Sequence, residues 1–241
     1  MRSNPFDEIL DTIENKDMRE FAEELIKDIP DYFWHVPSSS TGKYHPAYAL
    51  GEGGLVRHTI ALCKLLNFTF EIDCMGSSWT SREKDMMRIA GMMHDTRKSG
   101  SQQDYEANKY TRFDHPLLAA AVVKSYVREG FIPDSELEII ASAIASHMGQ
   151  FNTSDKSKII LPLPVNKYQK IIHWADYLAS RKCIEMKFDN ALPSPSEYRF
   201  TFGKHNGETL ENVINSDPSY IDWLKTTDLK FPLNQLLGEK I

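Results

Sequence analysis

At the end of an apolar run, "GMMHDTRKSG" sets the imidazole of His94 beside the carboxylate of Asp95, with Lys98 three residues on. Such a pair can hold a divalent cation, and a neighbouring lysine has the sign to hold the anion that the cation attracts. Further ligand-type side chains sit at or near apolar faces: His58 in "GGLVRHTIAL", His115 in "DHPLLAAAVV", His147 in "LEIIASAIASH" and Asp176 in "KIIHWADYLAS". Each histidine alone has an ordinary reading as a hydrogen-bonded core residue. Asp176 does not, because its neighbours at helical spacing are Ile172, Ala175 and Ala179. An ionised carboxylate among them is costly unless a cation or strong donors meet it. A metal is the simplest such cation, and mixed imidazole and carboxylate ligands suit Mn, Fe, Co, Ni or Zn better than Ca.

The elements that must position these groups read as helices. Apolar periodicity predicts them over about residues 55 to 71, 80 to 95, 115 to 129, 135 to 148 and 166 to 187. Asp114 before Pro116, Gly130 after "KSYVRE", and Ser135 with Glu138 as a capping box mark their boundaries. Asn4-Pro5, followed by Asp7 and Glu8, opens one or two amphipathic helices carrying Phe6, Ile9, Leu10, Ile13, Phe21, Leu25 and Ile26. Residues 29 to 54 have no steady period and read as a long ordered loop, a class that is often functional. This loop carries Ser38, Ser39, Ser40, Thr41, Lys43 and His45, small hydroxyls with basic groups that suit phosphate. Gly51, Gly53 and Gly54 then let the chain turn into the His58 segment. "DNALPSPSEYR", residues 189 to 199, reads as a linker, and an alternating stretch, an Asn-Gly turn and two short helices follow. The expected division is residues 1 to 192 as a mainly α body and 193 to 241 as a small α+β module.

Composition bounds the function. A chain of 241 residues with 41% hydrophobic and 26% charged residues is expected to fold with a substantial core in water. Its net charge of -6 gives no global attraction to DNA or membranes. Cys63, Cys74 and Cys183 lack metal-like spacing and are odd in number, which argues against a disulfide framework. The acidic start, "MRSNPFDEILDTIENKD", is unlike a signal or transit peptide, and no apolar run of membrane length occurs, so a cytoplasmic protein is expected.

The order His58, His94-Asp95, Asp176, together with "YHPAY", "GGLVRHT", "MMHDTRK", "FDHP", "ASHMGQ" and "HWADYLASRK", resembles the HD-domain metal-dependent phosphohydrolases. Within that superfamily the chain is similar to the HD domain attached to three-prime-end exoribonucleases and to phage and bacterial relatives, over roughly residues 43 to 187. The resemblance implies an all-α HD-domain helical bundle in which His58, His94, Asp95 and Asp176 bind a divalent metal, Mg being admitted besides the ions above. His115 and His147 fall where two-metal members place extra ligands, so one ion or two remain open. Met148 stands where many two-metal relatives have histidine, and Arg97 where they have glycine.

The implied reaction is metal-dependent hydrolysis of phosphoester bonds in nucleotides or single-stranded nucleic acid. Asp95, Lys98, His115 and His147 would serve catalysis, and Lys43, His45, Arg97 and Lys98 would contact substrate. The rival is a non-catalytic HD module, stabilised by metal, that binds nucleic acid or a protein partner. Lys109 and Arg112, against Asp104 and Glu106, suggest a modest basic patch at the mouth. The segment "FGKHNGETLENVINSDPSYIDWL" resembles a small module of some exonuclease-like and phage proteins, carrying Gly203, Lys204, Gly207, Leu210, Asp217, Pro218, Tyr220 and Trp223 in order. Its aromatics with Lys204 could stack on single-stranded nucleic acid. Against that, residues 196 to 241 hold five Lys or Arg and seven Asp or Glu, and Tyr220, Trp223 and Phe231 could instead cover the body.

Overall fold

The computed structural model describes residues 4–39, 45–188, 195, 196, 198–200, 203–227, 233 and 236. It is mainly helical, as the apolar periodicity predicts. The N-terminal helices are α1 (Asp7–Leu10) and α2 (Lys16–Lys27). Asn4 Oδ1 accepts from the Phe6 amide at 2.9 Å, so the Asn4-Pro5 signal makes a turn just ahead of α1. α2 buries Met18, Phe21, Ala22 and Leu25.

The expected loop over residues 29 to 54 holds two short 3-10 turns, Asp31–Trp34 and Ala47–Ala49. It then enters α3 (Gly54–Glu71) through Gly51 and Gly53, whose φ angles of 66° and 70° an L side chain rarely adopts. Arg57 fixes this entry: Nε donates to the Tyr48 carbonyl at 2.6 Å, and the two terminal nitrogens donate to those of Leu50 at 2.7 Å and Glu52 at 2.9 Å. A Cβ on Gly54 would lie 2.3 Å from the Ala49 carbonyl oxygen, which is backbone and cannot swing aside. Gly54→Ala is therefore expected to cost about 2 kcal/mol by overpacking, read as a lowered thermal midpoint.

The chain continues through α4 (Asp73–Gly76), α5 (Ser81–Met93) and α6 (Gln102–Ala107) to α7 (His115–Ser125), α8 (Asp134–Ala145) and α9 (Lys167–Ala179). Capping boxes start three of them: Thr80 with Glu83 for α5, Ser101 with Asp104 for α6, and Asn166 with Gln169 for α9. α3, α5, α8 and α9 pack on one another, and α7 packs on α8. Gly91 permits the close crossing of α3 and α5, since a Cβ there would meet Leu62 at 2.7 Å and Cys63 Sγ at 3.2 Å. One buried cluster runs from Phe6 and Phe21 through Leu55, Leu62 and Met87 to Ile140, Ile144, Ile172 and Ala175.

Three boundary expectations are corrected. α8 starts at Asp134 behind Pro133, so Ser135 does not cap it, and Glu138 instead pairs with Lys124 of α7 at 2.6 Å. α8 ends at Ala145 rather than 148, with Ser146 Oγ donating to the Ser142 carbonyl at 2.8 Å and Gly149 turning the chain at φ 54°. α9 ends at Ala179 rather than 187, where the Tyr48 hydroxyl donates to the Ala179 carbonyl at 2.9 Å.

The C-terminal residues gather a second, separate cluster: Phe200, Leu210, Val213, Tyr220, Ile221, Leu224, Leu233 and Leu236. An antiparallel bridge joins Arg199 and Thr209, with the Asn206-Gly207 turn between them. α10 (Leu210–Ser216) and α11 (Pro218–Thr226) follow; the Thr209 and Asp217 side chains accept from the Asn212 and Tyr220 amides at their starts. Lys204 is paired with Asp217 at 2.6 Å, and Tyr220 is buried in the module's own cluster while Trp223 stays 51% exposed. Phe231 lies outside the described residues. Among the described residues no helix is long and apolar enough to cross a membrane.

Candidate metal centre

Helix ends bring the ligand-type side chains together. His58 lies one turn inside α3 and Asp176 on α9; His94 and Asp95 follow the last residue of α5, His115 is the first of α7, and His147 comes two residues after α8. The last carbonyls of a helix have no intrahelical partner. Two of them orient the imidazoles: His94 Nδ1 donates to the Gly91 carbonyl at 2.7 Å and His147 Nδ1 to that of Ile144 at 2.8 Å. His115 Nδ1 donates likewise to the Arg112 carbonyl at 2.6 Å. A carbonyl only accepts, so all three rings carry a proton on Nδ1 and, when neutral, a lone pair on Nε2.

Those lone pairs face carboxylates. His115 Nε2 stands 2.9 Å and His147 Nε2 3.6 Å from Asp95 Oδ1; His94 Nε2 stands 3.5 Å from Asp95 Oδ2 and 3.8 Å from Asp176 Oδ1. His58 Nε2 is 3.0 Å from Asp176 Oδ1. At 2.9 Å an imidazole lone pair and a carboxylate oxygen repel unless a proton or a metal ion lies between them, and burial, which lowers His115, disfavours the proton. His94 Nε2, His115 Nε2 and Asp95 Oδ1 are buried without hydrogen-bond partners, a polar deficit that folded proteins rarely leave unexplained. Two ligand triads result, His58 with His94 and Asp95, and Asp95 with His115 and His147, each with its ligand atoms within 4.8 Å of one another. The donor set fits a divalent metal, with Asp95 common to both triads.

Lys98 Nζ donates to Asp95 Oδ2 at 2.7 Å and is 17% exposed, so one edge of the cluster carries a cation that water can still reach. Burial pushes the Asp95 carboxyl up, but Lys98 and the surrounding imidazoles outweigh it and hold the group well below the usual carboxylate range. Asp176 is likewise lowered, burial being overcome by the His58 hydrogen bond. His147 is raised, because the Asp95 carboxylate outweighs burial. His45 projects toward the same place: its ring is 5.7 Å from that of His58, its Nδ1 is buried without a partner, and burial lowers its pKa to about 3.

Burial also lowers His94, to about 4 from 6.5, and lowers His115. Between pH 6.5 and 4 the unfolded chain therefore binds protons that the folded His94 refuses, so stability rises with pH across this window and is lost as pH falls. His147, being raised, acts in the opposite sense. Chelator-treated protein is expected to lose thermal midpoint from pH 6.5 to 4, and His94→Gln should shrink that loss; melts at stepped pH check both.

Not every expected site residue joins the cluster. Arg97, expected at the substrate, donates from one terminal nitrogen to the Asp28 carbonyl at 2.9 Å. Arg112, expected in a basic patch, is bound by Asp114 at 2.9 Å and lies 3.6 Å from Asp104, so little of its charge is free. Lys43, Ser40 and Thr41 lie outside the described residues. Sequence reasoning missed Tyr32, which donates to the Gly100 carbonyl at 2.9 Å and accepts from the Ser99 amide at 3.0 Å; no periodicity in "DYFWHV" marks it.

Residues 58–181 match the family model described as HD domain. Residues 200–226 match the one described as Exodeoxyribonuclease X-like C-terminal. No curated protein and no solved structure matches the chain.

Proposed function

The chain belongs to the HD-domain family, and from that premise we propose that it is a metal-dependent phosphohydrolase acting on phosphoester bonds of nucleotides or single-stranded nucleic acid. The observation that carries the reading is the buried Asp95 carboxylate, faced at 2.9 Å by the His115 lone pair and flanked by three further imidazoles. His58, His94, Asp95 and Asp176 would hold one divalent ion, and the triad of Asp95, His115 and His147 suits a second. When bound, such an ion draws charge from a phosphoryl oxygen and makes water a stronger acid.

The chain's own residues supply the rest. Lys98 offers its ammonium to a non-bridging phosphate oxygen. His45, kept neutral by burial, can hydrogen-bond a second. Where a single ion is held and His147 is not a ligand, His147, raised because the Asp95 hydrogen bond outweighs burial, can pass a proton to the leaving oxygen, with His115 as its neighbour at 5.2 Å between ring centres. The exonuclease-like C-terminal match supports a nucleic-acid or nucleotide substrate. The two separate hydrophobic clusters support a division near residue 192.

The test compares turnover of labelled oligonucleotides and of deoxynucleoside triphosphates with Mn present. Hydrolysis of at least one class, abolished by chelator and restored by Mn, is expected. A metal-loaded protein inert on both, and on a chromogenic phosphodiester, would leave the non-catalytic module as the better description.

A further inference from the structure

Outside the matched span, the segment at residues 28 to 34 grips the loop at residues 96 to 102 at four points. The Asp28 carbonyl accepts from Arg97 at 2.9 Å, and the Tyr32 amide donates to Gln102 Oε1 at 3.2 Å. The Tyr32 hydroxyl accepts from the Ser99 amide and donates to the Gly100 carbonyl. Its ring stacks on Tyr105 of α6, with centres 4.6 Å apart and planes 25° apart. The loop so held begins at Asp95 and presents Lys98, one residue before Ser99.

Ser99 is 5% exposed, and Gly100 is buried with φ 89°. A Cβ on Gly100 would lie 2.5 Å from Asp104 Oδ2, so this bend is narrowly specified. Buried backbone groups need partners, and one phenol serves both the Ser99 N–H and the Gly100 carbonyl. Burial pushes the Tyr32 pKa up to about 12, which keeps the hydroxyl able to donate and accept at once.

We propose that Tyr32 is a positioning residue: its hydroxyl, bridging Ser99 and Gly100, fixes the loop that holds the Lys98 ammonium at the edge of the Asp95 cluster, where a substrate phosphate docks. The docking clause rests on the phosphohydrolase reading above; the loop geometry does not. Tyr32→Phe keeps the ring, its stacking and its volume, and removes only the bridging hydroxyl. Amide exchange is measured at Ser99, and inorganic phosphate affinity of the Mn-loaded protein is measured in Lys98 and Lys98→Ala backgrounds.

With the thermal midpoint nearly kept, Ser99 exchange should accelerate at least about tenfold. Phosphate affinity should fall about tenfold in the Lys98 background and less than about twofold in Lys98→Ala, the coupling expected when one residue acts through another. Unchanged exchange, equal losses in both backgrounds, or no phosphate binding by the parent protein would each overturn the proposal. Should exchange and coupling behave as expected while no phosphoester is hydrolysed, the catalytic reading falls and the role of Tyr32 stands.

Discussion

Asp95→Ala is expected to leave the purified protein with almost no bound divalent metal and to lower phosphoester turnover by at least about a thousandfold, toward background. No other side chain is common to both ligand triads, with Oδ1 facing His115 and His147 and Oδ2 facing His94. Removing it takes an anion from each metal position and leaves Lys98 without its partner. Because the methyl group of alanine fits the same space, circular dichroism should stay close to that of the parent while elemental analysis and turnover collapse together. Full phosphodiesterase activity in a folded Asp95→Ala protein would refute the proposed chemistry. His94→Ala should act in the same direction, since His94 offers an Nε2 that is buried and unpartnered.

The largest effect on stability is expected far from the cluster. Asp85 of α5 is fully buried, and its carboxylate accepts from the Glu14 amide, from the Asn15 amide at 2.9 Å, from Asn15 Nδ2 at 2.6 Å and from Arg88 at 2.7 Å. It thereby ties the turn between α1 and α2 to α5, the central helix that His94 follows. Asp85→Ala takes the carboxylate from the Arg88 guanidinium, only 7% exposed and left with Asn67 Oδ1 at 2.8 Å, and strands two backbone donors. Breaking a buried pair in this way costs about 3–5 kcal/mol, which in a domain of this size lowers the thermal midpoint by roughly 10 °C. Thermal or urea unfolding measures it, and a shift within a degree or two would mean that the Asp85 network contributes little.

His58, His94, Asp95, His115, His147 and Asp176 are legible in the sequence because each stands on or beside an apolar stripe, and the stripe dictates which way a side chain on that element can face. Their convergence was not in the periodicity; it came from a resemblance in the order of motifs. Features set by partners distant in sequence escaped. The Asp85 carboxylate meets residues about 70 positions earlier, and the Tyr32 hydroxyl meets a loop 67 residues later. Arg97 looks like a phosphate contact beside Lys98, and the bond from one of its terminal nitrogens to the Asp28 carbonyl is not visible in the local sequence. Ser135 looks like a cap, yet α8 already starts at Asp134 behind Pro133 and Lys124 takes Glu138. Local signals name candidates, and tertiary competition decides among them.

The carbonyl anchors on His94 and His115 bear on how the protein would take up an ion. With Nδ1 committed and burial disfavouring the imidazolium, both rings already present free electron pairs at neutral pH. Coordination by these two rings would therefore release no hydrogen ion at neutral pH, and the share of the affinity owed to His94 would stay level until pH falls toward about 4.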